Sequence, residues 1–279
     1  MAESHRITPR QQALLEGLTC ERLSSNDRNL REVEDFHNPL NEILVGTIQG
    51  EAFEEDEKKG LAYYLVKDDK GRILCYFSLK AGLLFDKHGD LEILQSKKSL
   101  NLLIKKKQSL GFDSPAIDLL KESLDKEIES IKTRLRKWIE LDVEDEKHKR
   151  VAKTFAGIEI VHFCTNTNAI EEWEKFRFGD KNRIGITIFW TKIMPIVFSV
   201  RQLIGIDYLY LFAADLTEDR NLINHYKTFM GFMESDHIFA ALPIYDSGCT
   251  LLCQHIDVLE EYQKNFFNTF NADMESESL

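Results

Sequence analysis

At 279 residues, 43% of them hydrophobic, the chain can bury a full core as one large domain or one domain with an insertion, and wholesale disorder is excluded. A formal net charge of −11 argues against a nucleic-acid-binding surface and suits a cationic amine as partner better. The five cysteines, Cys20, Cys75, Cys164, Cys249 and Cys253, are odd in number and lack paired Cys-x-x-Cys spacing. Reduced thiols are therefore expected, with neither a disulfide framework nor a metal site. The first twelve residues, MAESHRITPRQQ, have no apolar signal core, and no run approaches the roughly 18 apolar residues that cross a bilayer. The expected location is the cytoplasm.

Residues 1–30 are polar with a weak apolar repeat at Leu14, Leu15 and Leu18, which predicts a short amphipathic helix. Asn38 before Pro39 offers a cap and a first helical residue, and Leu40, Ile43, Leu44 and Thr47 continue a face. One or two helices follow, ending before a charged EEDEKKG run that reads as a solvated loop. Leu61–Lys67 and Arg72–Lys80 alternate in β-branched and aromatic residues around Asp68-Asp-Lys-Gly71, a hairpin signal.

Residues 86–150 differ in composition. A lysine cluster at Lys97–Lys107 could meet phosphate but is more simply a solvated helix face. Ser114-Pro115 then starts a helix of about seven turns to about Leu141, with Ile117, Leu120, Leu124, Ile128, Ile131, Leu135 and Trp138 stepping by three or four. Its apolar stripe must be covered, by its own domain, by a homodimer contact or as a lid.

Strand character returns at Phe155–Asn166, and a helix opens at Ile184 with Pro195 inside it, where a kink is expected. Tyr208-Leu-Tyr-Leu-Phe-Ala213 is too short for a globular helix and reads as a strand buried on both faces. Asp215 ends it. Thr217 and Asp219 can cap the next helix, in which Leu222, Ile223, Tyr226, Phe229 and Met230 recur at helical spacing, and Gly231 stands at the C-terminal cap. Ser235–Ala241 and Cys249–Ile256 read as a closing strand pair, followed by a helix near Val258–Phe270 and a frayed acidic tail from 272 to 279.

Strand, polar turn, short helix, then Gly231-Phe232 five residues after Tyr226 resembles the last motif of the GNAT acetyltransferase superfamily. Taken alone, Tyr226 is more simply an aromatic in a core stripe. The hairpin resembles the second and third strands of that fold. The implied architecture is a mixed-sheet α/β, GNAT-like fold, one domain over 1–279 with a helical insertion at about 86–150 between strands three and four.

The resemblance implies an N-acetyltransferase that moves an acetyl group from acetyl-CoA to a primary amine by direct attack, without a metal. It places Tyr226 as general acid to the leaving thiolate and Glu159 as proton acceptor, with His162 behind it. Glu159 could equally face solvent on a half-exposed strand. Pantetheine would pair with backbone at Phe163, Cys164 and Thr165. The pyrophosphate would meet the amides of Arg183, Ile184, Gly185, Ile186 and Thr187, where Asn182 and Thr187 depart from the family's R/Q-x-x-G-x-G/A loop and Asp219 stands where the family has asparagine. Hairpin and strand-five features resemble bacterial GNAT toxins that acetylate aminoacyl-tRNA, yet the acidic balance speaks against a large RNA footprint. The rival reading is a GNAT-shaped binding or regulatory protein without turnover, which uses the inserted helix for partner contacts.

Overall fold

The computed structural model describes residues 8–86, 97–105, 108, 115–144, 153–176, 178, 183–215, 217–235, 238–241 and 248–269. Asn182, Ser114, residues 242–247 and the acidic tail from 272 lie outside them. The chain falls into two compact units: Met1–Leu83 with Phe155–Ser235 and Ala241–Leu279, and Leu84–Thr154 with Asp236–Ala240.

The first unit opens with α1 (Pro9–Gly17), capped by Thr8 and Gln11 in a reciprocal capping box, which satisfies two orphan amides at once. Strand β1 (Thr19–Arg22) follows; it is too short and too polar to be read from its own residues. Helices α2 (Arg28–Glu32), α3 (Glu42–Gln49) and α4 (Ala52–Glu57) lead to the hairpin of β2 (Ala62–Lys67) and β3 (Ile73–Asp86). Asp68 organises the turn: its carboxylate accepts from the amides of Lys70 and Arg72 and from Arg72 Nε, at 2.7–3.0 Å, and Gly71 takes the left-handed φ of 78° that such a turn demands.

After the second unit come β4 (Lys153–Thr165) and α6 (Ile170–Glu174). A continuous helix then runs from Ile184 to Leu203, as α7 (Ile184–Ile188), a π-helical turn (Phe189–Ile193) and α8 (Met194–Leu203). The irregularity expected at Pro195 is taken up one turn earlier, because a proline without an N–H leaves a carbonyl in the preceding turn unpaired and a widened register accommodates it. This helix has the length and apolarity of a bilayer span, contrary to the sequence expectation, but Phe189, Trp190, Ile193, Met194 and Val197 are buried in the core.

Strand β5 (Tyr208–Ala213), α9 (Asn221–Met230), β7 (Thr250–His255) and α10 (Ile256–Thr269) complete the unit. Its strands lie in the order β1-β2-β3-β4-β5-β7. Only β4 and β5 are parallel among the registers described here; β1–β2, β2–β3 and β5–β7 are antiparallel.

Successive β2 residues point to opposite faces, so Tyr63 and Leu65 pack with Val33, Phe36 and Ile48 from the early helices. Val66, Phe77, Ile158, Ile160, Leu209 and Leu211 pack instead with the long helix and α10. The sheet thus carries a core on each side.

In the second unit, β6 (Ile238–Ala240) pairs antiparallel with Leu84–Asp86 at the end of β3. The expected pairing of the segments at 235–241 and 249–256 with each other is therefore corrected. β7 spends its ladder on β5, leaving Met233↔Cys253 as an isolated bridge. Helix α5 (Pro115–Glu144) buries Leu124, Ile128 and Ile131 against Ile104 of the helical residues 97–105. Lys97 pairs with Glu127 of α5, so this end of the lysine cluster serves a helix–helix contact.

Candidate active site

The site begins where two parallel strands part. β4 and β5 are in register from Gly157↔Tyr208 to Ile160↔Leu211 and no further. β4 continues to Thr165 while β5 continues to Ala213 beside β7. The side-chain alternation of β4 breaks at the same point. Ile158 and Ile160 join the core of the long helix, as does Phe163, whereas Cys164 joins the opposite core. One residue of the two-residue period is skipped between Ile160 and Phe163, as at a β-bulge, which bends a strand and increases its twist. Beyond it the two strands enclose a wedge.

The N-terminus of the long helix packs at this wedge. A Cβ on Gly185 would lie in ordinary contact, 3.5 Å from Thr165 Cγ2 and 3.6 Å from Phe163 Cζ, so the helix starts against the end of β4. Arg183, at the N-cap, is exposed and makes no side-chain cap. The Ile184, Gly185 and Ile186 amides belong to the first turn, where donors lack intrahelical partners. Thr187 departs from expectation: its amide donates to Arg183 O at 3.0 Å and its residue is fully buried, so it is spent on the helix. The Ile184 and Ile186 side chains are core residues, which leaves their main-chain atoms as what they can offer a ligand.

Cys164 is held structurally. Asn38 Nδ2 lies 3.5 Å from its Sγ and donates to Thr165 O at 3.0 Å, and burial pushes the thiol up to about 11. The Asn38 amide thereby ties the loop before α3 to the end of β4 rather than capping a helix, a correction: helix α3 starts at Glu42, after Asn41. Leu40 and Ile43, expected on a buried face, are 93% and 83% exposed, because the face that packs is that of Leu44, Val45 and Ile48.

Tyr226 sits on α9, half-buried against the core that includes Phe163, with its ring edge-on to Phe232. Burial raises its phenol above the ordinary value of 10, and interactions with Cys164 and Cys75 add to the rise, which puts the hydroxyl in electrostatic reach of β4. Among the described residues that hydroxyl has no hydrogen-bond partner. Arg183 likewise reaches His225 of α9, whose imidazole is held below its usual value by burial and by that charge.

The turn that presents α9 is built by Asp215, not by Asp219 as the sequence suggested. Asp215 accepts from the amides of Thr217, Leu222 and Ile223 at 2.8–3.0 Å and from Thr217 Oγ1 at 2.6 Å. Thr217 Oγ1 in turn takes the Asn221 amide at 3.1 Å. These bonds at the positive end of the helix hold the Asp215 carboxyl down at about 2. Gly231 closes α9 at φ 73°.

Glu159 opens into a cleft of about 790 Å³ together with His162, Tyr210, Lys80, Glu51 and Glu55. Burial raises its carboxyl, against the opposing influence of the Tyr210 hydroxyl, 3.3 Å from Oε2, and of Lys80. His162 stacks on Tyr63 and pairs with Ser78 Oγ at 2.8 Å, and burial keeps its imidazole below the usual value, hence neutral at pH 7. Tyr210 and Gly82 of this cleft were not found in the sequence, since a tyrosine in an apolar strand and a glycine after Lys80-Ala81 carry no motif. Among the described residues no group of His, Cys, Asp and Glu could hold a metal.

No family model matches the chain, and no curated protein does. Among solved structures it is similar to AtaTR bound with acetyl-CoA, at 15% identity and a TM-score of 0.47 over 88% of this chain and 98% of that one. It is similar also to AtaT complexed with acetyl-methionyl-tRNAfMet, at 14% identity and 0.47 over the same shares. The chain in the KacTA–DNA complex aligns at 11% identity and 0.46, over 89% of this chain and 99% of that one.

Proposed function

We propose that the chain is a GNAT-like N-acetyltransferase that transfers the acetyl group of acetyl-CoA to a primary amine. The observation that carries this reading is the parting of β4 from β5 after Ile160 and Leu211, with a helix N-terminus packed at the end of β4. Main-chain groups of β4 released from pairing suit an extended amide-bearing arm. The orphan amides of Ile184, Gly185 and Ile186 at the head of a helix of 20 residues suit a pyrophosphate, through hydrogen bonds and the helix dipole, and Arg183 adds a cation.

In this scheme the acceptor approaches through the cleft floored by Glu159. Glu159 takes the proton from the attacking nitrogen as the N–C bond forms, and burial moves its basicity toward neutral pH for that task. Tyr226 gives its proton to the sulfur as the C–S bond breaks. Its raised phenol makes it a weaker acid, but burial acts on a departing thiolate as well.

Calorimetric titration with acetyl-CoA, followed by thiol release across a panel of primary amines, tests the proposal. Binding with amine-dependent release is expected. Failure to bind refutes it, and binding without release for any amine favours a binding protein without turnover.

A further inference from the structure

The Tyr210 phenol crosses the sheet from β5, over β4, to β3. It is almost fully buried, its hydroxyl lies 3.3 Å from Glu159 Oε2, and its end rests against the backbone of Gly82. A Cβ at Gly82 would stand 1.8 Å from Tyr210 Oη and 2.7 Å from Cζ, far inside van der Waals contact. Gly82 has no need of a left-handed φ, and a glycine within a strand weakens it unless another group must approach closely. The close-approaching group here is the phenol.

We propose that Tyr210 is the positioning residue for Glu159, and that Gly82 is the notch that admits it. By donating to Oε2, Tyr210 fixes the carboxylate rotamer and leaves Oε1 as the oxygen that faces the acceptor nitrogen. The assignment rests on the acyltransferase reading for the role of Glu159, but the coupling itself is measurable without an acceptor. Groups that share the cleft with Glu159 are Lys80 from β3, His162 from β4, and Glu51, Glu55 and Lys58 from the α4 region. Lys58 is engaged by Glu54, and Glu55 accepts from Tyr63 Oη at 2.7 Å, so Tyr210 and Lys80 are the groups acting on Glu159 directly.

A hydrogen bond to the ionised carboxylate favours that form, so its loss must raise the titration midpoint of Glu159, by about one unit. Protein carrying 13C-labelled glutamate side chains is titrated by NMR, with Glu159→Gln to assign the resonance. Tyr210→Phe is expected to raise the midpoint, and Gly82→Ala to raise it in the same direction by displacing the ring. The double variant is expected to match Tyr210→Phe alone, since both substitutions break one contact. An unchanged midpoint in Tyr210→Phe refutes the proposal even if Gly82→Ala fails to fold. Acetyl-CoA titration of the same proteins separates the two claims. Affinity retained with an unmoved Glu159 sinks this proposal alone, whereas absence of binding to the unsubstituted protein sinks the acyltransferase reading.

Discussion

Replacing Tyr226 by Phe removes one oxygen from a half-buried ring that packs beside His225 and Phe232. The ring contacts persist. Because the hydroxyl has no partner among the described residues, no hydrogen bond among them is lost, and folding stability should stay within about 0.5 kcal/mol or rise. Affinity for acetyl-CoA should change little for the same reason. Turnover should not. A positioned general acid contributes about 10²–10⁴-fold, and since burial weakens this phenol as an acid, the lower half of that range applies, a loss of about 100- to 1,000-fold, or roughly 3–4 kcal/mol of barrier. The sign in pH follows from the same shift. A phenol raised above 10 stays protonated through the accessible range, so the unsubstituted protein should show no alkaline limb owed to Tyr226 below about pH 10. Thiol release measured from pH 6 to 10 on both proteins, beside acetyl-CoA titration, checks each part. A Phe variant within twofold of the parent rate would refute the assignment of the acid.

Asp56 is buried and accepts from Arg22 Nε, the Ser24 amide and the Tyr63 amide at 2.8 Å each; Asp56→Asn should cost about 2 kcal/mol in urea unfolding, because the new amide NH2 must face one of these donors in a buried position. Gly231→Ala meets both a left-handed φ and Tyr262 Cδ2 at 2.7 Å, so a loss of about 2 kcal/mol, near 5 °C in Tm, is expected by thermal melting. The Asp215 carboxyl is held at about 2 in the fold, below its unfolded value near 3.9. Its contribution is complete above about pH 4 and lost as pH falls through about 2, so Asp215→Ala should lower Tm at pH 7 while the difference from the parent shrinks in acid.

The hairpin, β4, β5 and the Gly231 cap were legible because each depends on local chemistry: alternation, a turn carboxylate, a residue free to take positive φ. Tyr226 and Glu159 came from a motif order, and both lie on the elements that order implied. What stayed hidden depends on pairing across the chain. Nothing in Ser235–Ala241 says that it will pair with the end of β3 rather than with β7. Asn38 looked like a helix cap because its true partner, Thr165 O, is 127 residues away. Asp219 and Asp215 are equally plausible caps in sequence, and only the sharpness of the turn after β5 decides that Asp215 reaches the Leu222 and Ile223 amides. Tyr210 and Gly82 are intelligible only once three strands lie side by side.

The wedge at the end of β4 is set by where its ladder with β5 stops. One edge of the strand is anchored along the hairpin side, and the other is released at a fixed residue by the skipped period. A ligand lying there would therefore be selected by what fits between two diverging backbones.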